Sequence, residues 1–448
     1  MKRYSILLFF ISLAVAQEIV WIRTFRAIVT RPDIAVDSRS NIVVVAYPYL
    51  RKYSLSGELL WERRINFGDS SRGPRIDLDG GDSIIVGGYG APTHHDSWVI
   101  MKWTPEGETL WKRLIGFHPD SLAYLTDVGV DNQNNILVTG NIPGTYKSMW
   151  LTYKLSPDGE IKWVKTFTSQ WGPDRPTGIC SDDSLNVIVG GERGILGIPR
   201  SWYPQVYKYS KDGDSLWVVY YDDTIHHNYL VGELNVDKLG NVILPGEETG
   251  YPPTSVYTFL FKYDPRGNTL WRWFDRRRVW VSGFSSCVTD TAGNIFTAGL
   301  KVHRPYPYDT IFMEVWKFSP EGESIWVFPY LLGSTFTAGY PWFEIDLDRE
   351  GDIIVAAPKE TLVYLFKITE RSITPEDRRR ISRQPPCPTL FLKRDTKMKF
   401  FLNEIYDRTG RLLLRDNKEG FLNTLPEGIY FLRGDEERKK FIKVILLD

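Results

Sequence analysis

The sequence predicts an all-β fold: a seven-bladed β-propeller closed by its N-terminal strand, followed by a small C-terminal β-sandwich-like domain. A Lys-Tyr-x-x-x-Gly-Glu-x-Leu-Trp unit occurs six times with variations, and an Asp-led turn before an apolar run occurs seven times. One N-terminal strand belongs to no complete unit. The tryptophans of the first unit lie 50, 52, 54, 54 and 55 residues apart, a period that suits a four-stranded blade. They are Trp61, Trp111, Trp163, Trp217, Trp271 and Trp326.

Each blade should contain four strands, a to d, around these two repeats. Runs such as residues 42–45 lack strict alternation, which indicates a strand b covered on both faces by neighbouring blades. A short alternating strand a precedes it, and the Gly-Glu turn leads into strand d, whose Trp should pack between blades. The turn Asp should accept hydrogen bonds from its own turn. These residues are Asp37, Asp79, Asp131, Asp182, Asp237, Asp290 and Asp348.

The two ends of the repeat region predict how the ring closes. The seventh unit, residues 343–368, has strands a to c but no Trp strand, whereas residues 19–25 form a strand d without a blade. Pairing the two leaves no open sheet edge. We therefore expect the propeller to span residues 17–369.

The remaining segments predict an exported protein. Residues 1–16 combine Lys2 and Arg3 with an apolar run and a small-residue cleavage site, as in a signal peptide. Residues 370–393 are expected to be a polar, Pro-rich linker, and residues 394–448 a small β domain. We expect a secreted, extracellular protein, and one that is monomeric.

Composition argues against several classes of partner. The 448-residue chain has 55 basic and 55 acidic residues, so no strong basic field attracts nucleic acid, and no later stretch is long enough to span a membrane after signal removal. Three distant cysteines give no disulfide framework. Cys180 and Cys287 fall in different blades and should not pair.

The first repeat resembles the propeller repeats of exported bacterial proteins over residues 19–369, and it is similar to pyrroloquinoline-quinone propeller repeats, in which a Gly-x-x-x-Trp segment docks blades together. A quinoprotein of that kind would be expected to show an adjacent cysteine pair, and the cysteines here are far apart.

The C-terminal segment resembles the sorting domain of the type IX secretion system of Bacteroidetes-like bacteria. The matching stretches are residues 405–412, 423–432 and 440–443. This resemblance implies that the secretion machinery is a partner, and that the protein is released or attached to the outer-membrane surface after export.

The loops that join strands b to c and d to a vary in length, and they should share one end of the propeller, its top face. Their aromatic and histidine residues suit stacking on a sugar or peptide, although packing of the loops explains them equally well. The candidate ligand-binding residues are His94, His95, Trp98, Trp171, Trp202, Tyr203, His226, His227, Tyr251, Trp280, Tyr306, Tyr308, Tyr340 and Trp342.

A second candidate set lies on strand a. Counting four and two residues back from each turn Asp places six carboxylates and Arg75 on the face toward the central channel. The channel is either hydrated or binds a cation such as Ca²⁺, and no other cofactor is expected. The carboxylates are Asp33, Asp77, Asp127, Glu233, Glu344 and Asp346.

These observations favour a non-enzymatic module that binds a polysaccharide or protein through its top face. The alternative is a carbohydrate-active or quinoprotein-like enzyme that uses the same face. No catalytic residue is assigned. The carboxylates that a carbohydrate-active enzyme could use are Glu233, Glu247, Glu248 and Glu344.

Overall fold

The computed structural model describes residues 17–28, 31–67, 69–91, 97–116, 123–143, 148–168, 174–195, 201–221, 228–249, 256–279, 281–303, 310–333 and 342–370, together with five strands between residues 389 and 447. All regular elements in these residues are β-strands, as the sequence predicts. The chain divides into two compact units, residues 22–370 and residues 1–21 with 371–448. Within the described ranges, no helix is long and apolar enough to span a membrane.

The first strand, β1, is Glu18–Arg26. Three antiparallel sheets of four strands follow it in chain order. They are β2 (Asp33–Val36), β3 (Ile42–Ala46), β4 (Tyr49–Tyr53) and β5 (Leu59–Arg64); β6 (Asp69–Leu78), β7 (Ile84–Ala91), β8 (Ser97–Trp103) and β9 (Thr109–Gly116); and β10 (Tyr124–Val130), β11 (Ile136–Ile142), β12 (Met149–Leu155) and β13 (Ile161–Thr168).

The next nine strands form one continuous sheet. It consists of two antiparallel groups joined through a single parallel pair, Trp202 with Asn228. The first group is β14 (Asp174–Ser181), β15 (Val187–Ile195), β16 (Ser201–Tyr209) and β17 (Ser215–Tyr220). The second is β18 (Asn228–Val231), β19 (Asn235–Val236), β20 (Val242–Thr249), β21 (Val256–Tyr263) and β22 (Thr269–Val279).

Two more four-stranded sheets complete this unit. One contains β23 (Val281–Thr289), β24 (Ile295–His303), β25 (Thr310–Phe318) and β26 (Ser324–Gly333). The other contains β27 (Glu344–Leu347), β28 (Ile353–Lys359) and β29 (Leu362–Thr369), with β1 as its outer strand beside β29.

The innermost strands contact one another in chain order, with β14 and β19 representing the two groups of the nine-stranded sheet. Strand β2 contacts β6, β6 contacts β10, β10 contacts β14, β14 contacts β19, β19 contacts β23, and β23 contacts β27. Strand β27 in turn contacts β2, so these inner strands form a closed series. The second strands are buried on both faces, as expected; all five residues of β3 are inaccessible to solvent.

The repeated tryptophans dock each outer strand onto the next sheet, which confirms their predicted packing role. Trp61 donates from Nε1 to the carbonyl oxygen of Pro105, at 3.2 Å, and its ring lies 3.2 Å from the position that a Cβ on Gly107 would take. Gly107 has φ = +83°, so its turn needs glycine for conformation as well as for space. Similar bonds are made by Trp163, Trp217 and Trp271.

The turn aspartates stabilise the turns, again as predicted. Asp37 Oδ1 accepts the N–H groups of Arg39, at 2.9 Å, and Asn41, at 2.8 Å. Its Oδ2 also forms a buried ion pair with Lys52 of β4, at 2.8 Å. This ion pair explains why a Lys recurs in the first repeat, a role that the sequence alone does not indicate. It recurs as Lys102–Asp79, Lys154–Asp131, Lys208–Asp182, Lys262–Asp237 and Lys367–Asp348.

The C-terminal unit contains a five-stranded sheet with the order β30-β34-β33-β31-β32. Residues 389–393 were expected to belong to the linker, and this is corrected: they form β30, which pairs in parallel with the last strand through backbone hydrogen bonds. The strands are β30 (Thr389–Lys393), β31 (Glu404–Asp407), β32 (Leu412–Arg415), β33 (Gly428–Arg433) and β34 (Phe441–Leu447).

Candidate functional site

Carboxylates from three sheets meet where the first strands begin. One oxygen from each of Asp33, Glu233 and Glu344 lies within 4.8 Å of the other two. Asp33 opens β2, Glu344 opens β27, and Glu233 lies between β18 and β19. In the repeat, all three occupy the position four residues before the turn Asp. We call this group, with Asp127, Arg31 and Arg75, the acidic cluster.

Two arginines neutralise part of the acidic cluster. Arg31 Nη2 lies 2.8 Å from Glu233 Oε1, and Arg75 Nε lies 3.4 Å from the same oxygen. The Arg31 guanidinium carbon also lies 4.0 Å from the centroid of the Trp342 ring. Sequence reasoning missed Arg31 because this residue precedes strand a and occupies no repeated position.

Burial raises the pKa values of the carboxyl groups in the acidic cluster. Burial, and then the charges of Glu233 and Asp127, raise the pKa of Asp33 well above its usual range. Burial and the charges of Glu233 and Asp33 do the same to the pKa of Glu344. Two residues further along the strands, burial raises the pKa of Asp77 to about 7 and that of Asp346 to about 6.

A second group lies in the nine-stranded sheet, also where first strands begin and second strands end. Arg175 Nη2 forms a 2.6 Å ion pair with Glu192 Oε2. The Arg175 guanidinium carbon lies 4.1 Å from the centroid of the Trp202 ring, and the Val231 N–H donates to Glu192 Oε1 at 3.1 Å. We call Arg175, Glu192, Trp202 and Glu247 the Glu192 site.

The carboxyl groups of the Glu192 site differ in their environments. Burial, and then the negative charge of Glu192, raise the pKa of Glu247 to about 8. Burial also raises the pKa of Glu192, but the ion pair with Arg175 opposes that shift. At pH 7 the environment of Glu247 therefore favours its protonated form, whereas the ion pair with Arg175 favours the carboxylate of Glu192. Groups whose environments separate their protonation states are typical of acid–base sites.

The Glu192 site is exposed to solvent at Arg175. The side chain of Arg175 is 45% exposed, whereas that of Glu192 is only 4% exposed. Among the four carboxylates proposed for a carbohydrate-active enzyme, only Glu247 belongs to this site. Glu248, its neighbour on β20, points to the opposite face of the strand and is also buried.

Four of the candidate ligand-binding residues fall within the described ranges. Trp202 and Trp342 are half-buried beneath the guanidinium groups of Arg175 and Arg31. Trp98 is fully buried against Tyr153, and Tyr203 is buried against Tyr229, so both belong to the core rather than to a binding surface. The residues outside the described ranges are His94, His95, Trp171, His226, His227, Tyr251, Trp280, Tyr306, Tyr308 and Tyr340.

Cys180 and Cys287 are free thiols, which confirms the prediction that they do not pair. Cys287 is buried in the hydrophobic core with Phe284 and Trp316. Cys387 lies outside the described residues.

No protein-family model and no curated protein matches the chain. Among solved structures, it is similar to the WD40 domain of Pan2 from Neurospora crassa, with 10% identity and a TM-score of 0.42 over 75% of this chain and 88% of that one. It is also similar to a PL25 ulvan lyase, with 13% identity and a TM-score of 0.49 over 75% and 93% of the chains. Polysaccharide lyase Uly1 gives 10% identity and a TM-score of 0.47 over 76% and 90%.

These neighbours and the strand-only sheets indicate a β-propeller-like fold. The expectation of a non-enzymatic binding module is corrected, because two of these neighbours are polysaccharide lyases and agree better with the enzyme alternative. The likeness itself extends to the fold alone.

Proposed function

We propose that the protein is a carbohydrate-active enzyme that cleaves a polysaccharide at the Glu192 site. The observation that carries this proposal is that two buried carboxyl groups have different environments: burial and the charge of Glu192 raise the pKa of Glu247 to about 8, whereas Arg175 forms an ion pair with Glu192. A neutral carboxylic acid can protonate the oxygen of a leaving sugar, while a carboxylate acts as base or stabilises positive charge.

The other residues of the site supply binding. The half-buried Trp202 ring lies under the Arg175 guanidinium, 4.1 Å from ring centroid to guanidinium carbon, and so holds the arginine in place for a substrate. The exposed part of Arg175 offers donors for an anionic sugar substituent. Together they favour a polysaccharide that carries carboxylate or sulfate groups over a neutral one.

A panel of neutral, uronate-containing and sulfated polysaccharides tests this proposal. Chain shortening by the purified protein, lost in Glu247→Gln, would support it. A rise in ultraviolet absorbance from a new conjugated double bond would indicate elimination, whereas new reducing ends without absorbance would indicate hydrolysis. Glu248→Gln is the matched control, because it makes the same change on the opposite face of β20. No shortening of any polymer would refute the proposal.

The architecture that we propose for the site's scaffold is a seven-bladed propeller related to the repeats of exported bacterial proteins. The closed series of inner strands and the position of β1 beside β29 support it. In this arrangement the nine-stranded sheet supplies two adjacent blades, and the Glu192 site lies where they meet.

We also propose that residues 1–16 are a signal peptide and that the C-terminal unit is a type IX sorting domain. The motifs at residues 405–412, 423–432 and 440–443 support this. The secretion machinery would then be the protein's partner, and the enzyme would act as a monomer outside the cell or on the outer-membrane surface. Fusing residues 371–448 to a reporter in a type IX-competent host tests the assignment by export of the reporter.

A further inference from the structure

The acidic cluster has the oxygen ligands that a hard cation requires. Asp33, Glu233 and Glu344 come from three sheets, and one oxygen of each lies within 4.8 Å of the others. Ligand oxygens around Ca²⁺ lie about 2.3–2.6 Å from the ion, so oxygens on opposite sides of it are about 5 Å apart. The three groups can therefore share one ion.

Hydrogen bonds hold two of the three carboxylates in position. Asp33 Oδ1 accepts the N–H of Ile34, and its Oδ2 accepts the N–H of Ile76, both at 2.8 Å. Arg31 holds Glu233 through Oε1. Side chains that are already oriented lose little freedom when they bind an ion.

Glu344 supplies an independent sign of a missing ligand. Its side chain is buried, with only 3% of the residue exposed; its carboxyl group is hydrogen-bonded to that of Glu233, and its Oε1 atom has no further partner. A buried carboxylate oxygen without a partner is costly, because it has lost its bonds to water and gained none. A cation within the cluster would satisfy it.

The charges of the acidic cluster also leave room for a divalent ion. Its four carboxylates are Asp33, Asp127, Glu233 and Glu344, and its two cations are Arg31 and Arg75. A bound cation displaces the protons that burial favours, and the four ionised carboxylates less the two arginine charges then leave two negative charges. A divalent cation neutralises them.

We propose that Asp33, Glu233 and Glu344 bind one divalent cation, Ca²⁺ in preference to Mg²⁺, at the inner ends of three sheets. Three carboxylates leave several coordination positions for water, which Ca²⁺ accepts in irregular geometry, whereas Mg²⁺ demands a near-ideal octahedron. The ion would tie together sheets that lie more than 100 residues apart in sequence.

The test uses the full chain after treatment with a chelator. Equilibrium dialysis against CaCl₂ and MgCl₂ measures binding, and thermal unfolding with and without CaCl₂ measures the effect on stability. We expect one Ca²⁺ per chain, weaker binding of Mg²⁺, and a higher melting temperature with Ca²⁺. Glu344→Gln should weaken Ca²⁺ binding by roughly tenfold or more, because affinity depends on the number of charged ligands.

Asp77→Asn is the matched control, because Asp77 is a buried carboxyl of an inner strand that lies outside the cluster. It should bind Ca²⁺ as the unchanged protein does. If Glu344→Gln does not fold, Asp33→Asn takes its place. The proposal is overturned if the unchanged protein binds no Ca²⁺ in dialysis, or if Glu344→Gln and Asp33→Asn both bind it with full affinity. Neither result depends on polysaccharide cleavage.

Discussion

Asp346 Oδ2 accepts a hydrogen bond from the backbone N–H of Val36, at 2.8 Å, across 310 residues of sequence. The bond joins the last sheet of the larger unit to the first. It repeats a contact that links neighbouring sheets elsewhere, in which an inner-strand carboxylate binds the next inner strand. Those contacts are Asp33 with Ile76, Asp77 with Val130 and Asp127 with Ile179.

Strand β1, the outer strand of the last sheet, should also contribute to the stability of the larger unit. In β1, Arg23 Nε donates to the carbonyl oxygen of Gly57 at 2.5 Å, and the Phe25 ring stacks on Tyr53 with centroids 6.2 Å apart. We expect a protein that starts at Thr30 to aggregate or to melt far lower, because a strand edge and an apolar surface become exposed.

The control for that deletion is a protein that ends at Arg371 and lacks the C-terminal unit. It should keep most of the melting temperature in thermal unfolding, because residues 22–370 form a compact unit. A protein starting at Thr30 that is as stable as the mature chain would show that the ring closes in another way.

The buried Lys–Asp pairs should dominate the electrostatic part of stability. Burial alone would raise the pKa of Asp131, but the hydrogen bonds from Lys154 and Asn135 lower it. Lys154→Ala leaves that carboxylate buried without its cation and should cost about 3–5 kcal/mol in urea unfolding. The exposed pair Arg113–Glu160 is the comparison; Arg113→Ala should cost less than about 1 kcal/mol. Equal losses would contradict this role for burial.

Stability should fall as pH rises through the range in which Asp77 titrates. Burial raises its pKa from 3.8 to about 7, so the folded state binds this proton more tightly than the unfolded state. Its contribution is complete below about pH 4, declines up to about pH 7, and is absent above that. In the presence of a chelator, the unfolding free energy of Asp77→Asn minus that of the unchanged protein should increase from pH 4 to pH 7, by up to about 1.4 kcal/mol per pH unit.

The substitution also alters hydrogen bonds of Asp77, but a cost that does not change with pH leaves the pH dependence of this free-energy difference unchanged. A difference that stays flat from pH 4 to 8 would show that Asp77 titrates normally in the folded state.

Arg175 should control the proton on Glu247 through Glu192. Arg175→Ala removes the cation that opposes protonation of Glu192, and a neutral Glu192 no longer raises the pKa of Glu247. We therefore expect the decline of the cleavage rate at high pH, the basic limb of the pH profile, to occur at lower pH. Arg113→Ala, on the outer strand β9, is the control and should leave the limb in place. If the basic limb of Arg175→Ala is unshifted, Arg175 does not influence the proton that Glu247 donates.

The repeats carry most of the fold, and this is why the sequence predicts it. The repeat period predicts where Trp61 packs and where Asp37 accepts its turn hydrogen bonds, because the partners of both residues lie at fixed separations in the sequence. The sequence pattern predicts that Trp98 lies in a loop, because residue type alone does not show where a strand starts. In the structure β8 begins at Ser97, so Trp98 lies in the core.

The candidate sites were less predictable, because their residues occur once. Counting along strand a placed Asp33 and Glu344 on one face, yet Arg31 lies outside the repeat. Arg175 and Glu192 are cross-strand partners in β14 and β15, and their pairing with each other depends on register rather than on any motif. β30 pairs with a strand about 50 residues away, which its own sequence does not indicate.

The pH dependence of polysaccharide cleavage by the unchanged protein and by Glu247→Gln tests the enzyme proposal most directly. We expect cleavage near pH 7 that declines above about pH 8, as Glu247 loses the proton that it donates. Glu247→Gln should lower the rate by about 10²–10⁴-fold across the profile while the protein stays folded. Cleavage by Glu247→Gln at the rate of the unchanged protein, with the same basic limb, would contradict the assignment of the reaction to this site.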